Sequence, residues 1–233
     1  MNATPQTRYA LSVDHLVLAG PDLEEAVGIV EAALGVELQP GGSHPGLGTR
    51  NRLLGLGSGA YLEVIGPDPD QPEPIAPRPF GIDALEEPTL VTWALRVDAP
   101  EETGAEVPGY EPFRAMSRRR PDGTTLSWKL AFPTEASAVE GPVQPVPFLI
   151  DWGAVAPPGS VLAEAATLEA LHLSGPAEVA AAVHVVSRSP SGASEGPTVD
   201  VRFDRGKPRL EAALQVEGRQ VVWSGAIGSA ASP

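Results

Sequence analysis

The stretch Leu11-Ser-Val-Asp-His-Leu-Val-Leu18, continued by Ala-Gly-Pro21-Asp-Leu-Glu-Glu-Ala26, sets the grammar of the chain. A strand-like run is followed by a proline and then by acidic and alanine residues suited to a helix. Proline is preorganised for the first helical turn, and acids just after it face the positive end of the helix dipole. Leu23, Val27, Val30 and Leu34 fall at helical spacing with Glu24, Glu25 and Glu31 off that stripe, and Gly35 closes the segment. The same grammar returns over residues 90–97 with Pro100-Glu-Glu and over 168–173 with Pro176-Ala-Glu, the prolines standing 79 and 76 residues apart. Near-equal spacing of strand–proline–acid starts predicts a module repeated about three times.

Strand signals follow each start. In the first they lie at 51–56 and 61–65 around Gly57-Ser58-Gly59; in the second at 113–118, 126–132 and 147–152; in the third at 199–203, 210–216 and 220–224. Gly104 and Pro108 cut the second helix short, and the third is expected over 177–186. The reading is an α+β protein of repeated βαβββ modules with curled mixed sheets around a pocket. Its parts are a first module over 8–66, a Pro-rich linker over 67–89, a second, helix-poor module over 90–153 and a third module-like segment over 160–228.

Composition narrows the function. A net charge of −14 argues against nucleic acid and anionic membrane as partners, since both call for a basic footprint. No apolar run reaches the roughly 20 residues of a membrane span, and no basic start leads into an apolar signal core. The cytoplasm is the expected location, and a monomer or homodimer the expected state. The chain has 25 glycines and 26 prolines, yet its 42% apolar content is too high for disorder, so short elements joined by turns are expected. With no cysteine, any metal must be held by oxygen and imidazole.

Three clusters could carry chemistry. His15 shares a strand face with Val13 and Val17, and Glu63 interrupts the apolar run Tyr61-Leu-Glu-Val-Ile65. On neighbouring strands the two would make half of a metal site; the plainer alternative is a hydrogen-bonded sheet histidine and a carboxylate lining a pocket. The loop Gly41-Gly-Ser-His44-Pro-Gly-Leu-Gly-Thr49-Arg-Asn51 lets a ligand approach the backbone and offers His44, Thr49 and Asn51 as polar contacts; otherwise it is a polar turn. Arg118 and Trp128, across the Pro121-Asp-Gly turn, could clamp an anion and stack on a ring, or form a solvated hairpin with one core tryptophan. No serine has the strand–elbow–helix setting of a hydrolase nucleophile. His172 and His184 lie in apolar surroundings and suit core or wall positions.

Read together, Val13-Asp-His15-Leu-Val-Leu-Ala-Gly-Pro-Asp-Leu, His44-Pro-Gly-Leu-Gly-Thr-Arg-Asn51 and Leu53-Leu-Gly-Leu-Gly-Ser-Gly-Ala-Tyr61-Leu-Glu63-Val-Ile resemble the glyoxalase-like domain family of the vicinal-oxygen-chelate superfamily. The likeness continues through Arg118-Arg-Arg-Pro-Asp-Gly-Thr and Trp128 to Pro147-Phe-Leu-Ile-Asp-Trp152, covering residues 10–155. It implies paired βαβββ modules around a pocket. In metal-using relatives the first and last strand of each module supply one ligand apiece. Here the first module matches with His15 and Glu63. The second offers Trp93 and Ile150 at those positions, so half of the usual shell is missing, and His44 is a third donor. The third segment shows no matching ligand positions.

Two functions follow. One is a glyoxalase-like enzyme of lyase, isomerase or dioxygenase type with a degenerate pocket, Glu63 and His15 catalytic, and His44, Thr49, Asn51, Trp93, Arg118 and Trp128 holding the substrate. One divalent ion (Zn, Ni, Mn or Fe) on His15, Glu63 and His44 goes with this reading, and no metal at all is equally compatible. The other is a metal-free protein of the same fold that binds or sequesters a small molecule.

Overall fold

Val13–Ala19 is buried along its whole length, so both faces of this strand are covered, and the architecture is built on it. The computed structural model describes residues 7–10, 12–97, 107–120, 122–135, 139–177, 179, 181, 198–201 and 207–227. In chain order the strands and the first helix are β1 (Thr7–Ala10), β2 (Val13–Ala19), α1 (Leu23–Leu34), β3 (Gln39–His44), β4 (Thr49–Gly55), β5 (Tyr61–Pro67), β6 (Thr89–Arg96), β7 (Arg114–Arg119), β8 (Thr125–Ala131) and β9 (Phe148–Asp151). Then follow β10 (Thr167–Ser174), β11 (Thr198–Val201), β12 (Arg209–Val216) and β13 (Arg219–Ser224).

Eight strands close into a mixed barrel in the order β2-β5-β4-β3-β7-β8-β9-β6. Each half repeats one plan. A first strand leaves by a crossover, and a meander returns so that the last strand lies parallel beside the first: β2 with β5, and β6 with β9. The halves join through antiparallel β2–β6 and through the Ser43–Arg119 pairing of β3 with β7. The first crossover is α1. Its N-cap is Asp22, whose side chain accepts from the Glu25 amide at 3.0 Å, and Gly35 ends it at φ 75°. Pro21 therefore precedes the cap instead of filling the first turn. The short helix expected after Pro100 lies outside the described residues.

The segment read as a glycine loop is a hairpin of β3 and β4. Its glycines serve close packing of strands. A Cβ at Gly41 would fall 1.9 Å from the Asn51 side-chain oxygen, and one at Gly42 2.2 Å from the Arg119 carbonyl. The expected linker over 67–89 also has a structural role. Arg78 pairs with Glu73 and Asp83 and donates to the Gly48 carbonyl, tying the segment to the β3–β4 turn. Phe80 then sits in the left-handed region at φ 60°, unusual for a bulky residue, inside the 3-10 turn Pro79–Ala84.

The third segment departs from the expected repeat. β10 has the parallel neighbour β11, not its last strand β13, and the sheet order is β1-β11-β10-β12-β13. Thr7–Ala10 belongs to this sheet and not to the first half of the barrel. The physical reason is visible in burial: β10 alternates between buried and more exposed positions along much of its length, whereas β2 and β5 are covered on both faces. Strands with one apolar face suit an open sheet laid on something else. The helix expected over 177–186 falls almost wholly outside the described residues.

Two apolar cores result. Leu16, Leu18, Leu62, Val64 and Trp93, on the outer face of the barrel, pack with α1 and with Leu168, Leu171, Leu214 and Trp223 of the open sheet. Val17, Ile65, Ala94, Leu126, Phe148 and Ile150 fill the inside. No helix among the described residues is long and apolar enough to cross a membrane.

Candidate active site

Alternation on the barrel strands turns every second side chain inward. The interior cavity encloses about 560 Å³, part of it open to solvent. Its polar pole is His15 on β2, His44 on β3, Asn51 on β4, Glu63 on β5 and Arg118 on β7. The rest of the wall is apolar and largely aromatic: Tyr61, Phe80, Trp128, Phe132, Phe148 and Trp152, with Ile65, Met116, Leu130 and Ile150.

Glu63 is the centre of the pole. One carboxylate oxygen, Oε1, accepts from Asn51 Nδ2, and Asn51 Oδ1 in turn accepts from Arg118 Nη1 at 3.1 Å and from the Gly42 amide at 2.9 Å. Asn51 thus stands between the acid and the guanidinium. His15 Nε2 lies 3.6 Å from Glu63 Oε2, and His44 Nε2 lies 3.8 Å from Oε1. These spacings are ion-pair range, too long for hydrogen bonds.

Each imidazole is oriented through its other nitrogen. His15 Nδ1 is 2.7 Å from Asp14 Oδ1, and His44 Nδ1 is 3.0 Å from Thr49 Oγ1. The carboxylate at Nδ1 fixes the orientation of the His15 ring, with Nε2 turned toward Glu63. The His15 ring also stacks on Tyr61 at 4.7 Å. Burial lowers the pKa of His44, only partly opposed by the charge of Glu63, so this ring is neutral at physiological pH. Burial keeps the Tyr61 phenol protonated, and it lowers Arg118 without removing its charge.

Asp14 is fully buried and was not picked out from the sequence. It accepts from Arg96 Nε at 2.8 Å and Trp152 Nε1 at 2.9 Å in addition to His15. Burial opposes its charge, but the His15 hydrogen bond and then the charges of His15 and Arg96 outweigh that and lower its pKa. A carboxylate depressed in the folded state contributes stability above its unfolded pKa of about 3.9 and loses it as pH falls through the folded value. Asp14→Asn is therefore expected to cost about 2–3 kcal/mol at pH 7, at the low end for a broken buried pair because Arg96 is 31% exposed. Urea unfolding of both proteins from pH 7 to pH 3 checks this. The gap should hold above about pH 4 and shrink below it; a gap independent of pH would show that charge is not what Asp14 contributes.

Sequence and structure part company at Trp93. Strand register aligns His15 with Tyr61 in the first half and Ala94 with Phe148 in the second, while Glu63 and Ile150 each sit two residues further on. The counterpart of His15 is therefore Ala94. Trp93 points out of the barrel into the outer core, fully buried, with Nε1 donating to the Pro145 carbonyl at 2.8 Å. It is a core residue and does not line the cavity. Thr49 does not line it either and acts through His44. His15, His44, Asn51, Glu63, Arg118 and Trp128 do come together there. His172 lies on β10 of the open sheet, and His184 is outside the described residues.

The donor set decides how far a metal fits. Ala94 and Ile150 have no lone pair to give, so the four-residue shell with two ligands from each half is not formed. The protein donors that face one another are His15, Glu63 and His44, and one oxygen of Glu63 already accepts from Asn51. Among the described residues no three His, Asp or Glu side chains form a metal-holding group.

Residues 13–188 match the family described as glyoxalase-like domain. No curated protein matches the chain. Among solved structures, the chain is similar to a hypothetical protein from Staphylococcus aureus at 13% identity, covering 83% of this chain and 86% of that one with a TM-score of 0.60. It is also similar to the methylmalonyl-CoA epimerase from Mycobacterium tuberculosis at 21% identity, covering 66% and 93% with a TM-score of 0.39. At 13% identity the likeness to the staphylococcal protein is one of fold.

Proposed function

This chain belongs to the glyoxalase-like domain family, and from that premise we propose that it is an enzyme of lyase or isomerase type that moves a proton on a small oxygenated molecule, with Glu63 as the base. The observation that carries the reading is the state of the Glu63 carboxylate. Asn51 fixes Oε1, while Oε2 faces His15 Nε2 at 3.6 Å and receives no hydrogen bond from the described residues. A carboxylate anchored by one oxygen and free at the other is positioned to take a proton.

The substrate supported best has a C–H bond next to a carbonyl. Glu63 Oε2 takes the proton, the C–H electron pair moves into a C–C double bond, and the carbonyl oxygen gains negative charge. That charge develops in a largely apolar cavity, where its interactions with the polar pole are weakly screened. Where the reacting carbon carries a hydroxyl, passage of the hydroxyl proton to the oxyanion and return of the proton from Glu63 to the former carbonyl carbon complete an isomerisation. Where the next carbon carries a leaving group, its departure with the bonding pair as the carbonyl re-forms completes an elimination. Asp14 and Thr49 keep the two imidazoles from turning.

Proton abstraction by Glu63 needs no metal. Any divalent ion here would have His15, His44 and Glu63 as its protein donors and should be weakly held, more weakly still as falling pH protonates imidazole. Calorimetric titration of zinc, nickel or manganese into chelator-treated protein checks this. A tight site that survives changing both His15 and Glu63 to Ala would place the metal chemistry elsewhere in the chain.

The test of function is solvent-deuterium exchange. A panel of ketones, 2-oxo acids and 2-hydroxy acids in D₂O is followed by proton NMR for label at the carbon beside the carbonyl, with and without protein. Catalysed exchange of at least one compound is expected. The aromatic wall favours a second reading, sequestration of an apolar ligand. Tight binding across the panel with no exchange would decide for that reading.

A further inference from the structure

We infer that the molecule held in this cavity carries a carboxylate, and that Arg118 receives it. The inference rests on the reading of the cavity as a small-molecule site, but it concerns binding and not the proton transfer. Arg118 is only 5% exposed and lines the cavity. Of its five N–H donors, Nη1 reaches Asn51 Oδ1, and the buried Nε has no hydrogen-bond partner. No carboxylate among the described residues lies within ion-pair distance of it. Arg96 shows the contrast: its Nε sits 2.8 Å from the Asp14 carboxylate.

Buried cations are normally paired, and buried N–H groups are normally satisfied. Glu63 is the acid that would neutralise Arg118, yet Asn51 holds the two apart by accepting from one and donating to the other. That arrangement leaves a guanidinium that lines the cavity without a carboxylate partner among the described residues. A guanidinium offers pairs of parallel N–H groups, which match the two oxygens of a carboxylate. Phe80, Phe132 and Phe148 lie with ring centroids 5.5–6.4 Å apart in the same cavity and give an apolar body a place to pack. The ligand class is therefore an amphiphilic monoanion, a carboxylate on an alkyl or aryl body.

Calorimetry with 3-phenylpropanoate and its methyl ester tests this on the intact chain. The acid should bind wild type roughly 10- to 100-fold more tightly than the ester, as expected for charged hydrogen bonds. Arg118→Met should bring the acid to the affinity of the ester and leave the ester unchanged. Arg118→Lys, which keeps charge but loses the fork, should retain part of the preference. The wild-type ratio stands whether or not either variant folds. Equal binding of acid and ester, no detectable binding of the acid, or a preference that persists in Arg118→Met would overturn the inference. Absent deuterium exchange with an intact acid preference defeats the proton-transfer reading alone. Exchange of a neutral ketone with no acid preference defeats this inference alone.

Discussion

Glu63→Gln is expected to slow catalysed exchange at the reacting carbon by roughly 100- to 10,000-fold, the usual contribution of a positioned acid–base group. Ligand affinity should change little. The amide keeps the shape of the side chain, and its carbonyl can still accept from Asn51, so the wall is preserved while the proton acceptor is lost. Single-turnover exchange measured beside binding separates the two quantities. If affinity and exchange fall together by the same factor, Glu63 holds the ligand and some other group takes the proton. The same logic sets His15 apart from Glu63. Its Nε2 faces the carboxylate and its Nδ1 is tied to Asp14, so changing His15 should disturb the setting of Glu63 without removing the acceptor.

Trp93→Ala should be the most destabilising of the substitutions considered, at about 3–5 kcal/mol for a large buried aromatic. The side chain is fully buried, packs in the outer core and donates to the Pro145 carbonyl, so truncation leaves both a cavity and an unpaired acceptor. Denaturant unfolding measures the loss. Where the variant is still folded, its ligand affinity should match wild type, because position 93 does not line the site. A variant of normal stability that had lost ligand binding would return Trp93 to the pocket.

The first half of the barrel was legible because its signals are local. Helical spacing from Leu23 to Leu34, the acids after Pro21 and the glycine at 35 fix α1 within a few residues, and alternation puts His15 and Glu63 on the same face of two strands that pair side by side. The second half was read one residue out of register. Its first strand is buried on both faces over residues 89–95, so no alternation tells Trp93 from Ala94. The inward face is settled by pairing with β9 and by register shifts along β2–β6. A run such as Gly41-Gly42 reads as a loop until its neighbours are known. The approach of Asn51 and of the Arg119 backbone makes glycine necessary there, and both are set by strand pairing.

Long-range assembly hid the rest. Phe80 enters the cavity from a proline-rich segment, held by Arg78 and its two acids, and nothing local marks it as a wall residue. Phe148, Ile150 and Trp152 could have been found, since alternation along their strand puts all three on one face. Alternation puts Asp14 on the face of Leu16 and Leu18, but its contacts with Arg96 and Trp152 join residues 82 and 138 positions away. The strand order of the third unit, expected as a further repeat, is likewise a matter of pairing that no local signal fixes.

The most direct measurement of the central claim is a crystal structure of Glu63→Gln with a bound compound from those the wild type exchanges. The reacting carbon should lie about 3–3.5 Å from the terminal atoms of the side chain at position 63, a near-attack distance, with the apolar body against Phe80 and Phe148. A compound bound with its exchangeable carbon turned away from position 63, beyond reach of the side chain, would contradict the assignment of Glu63 as the base.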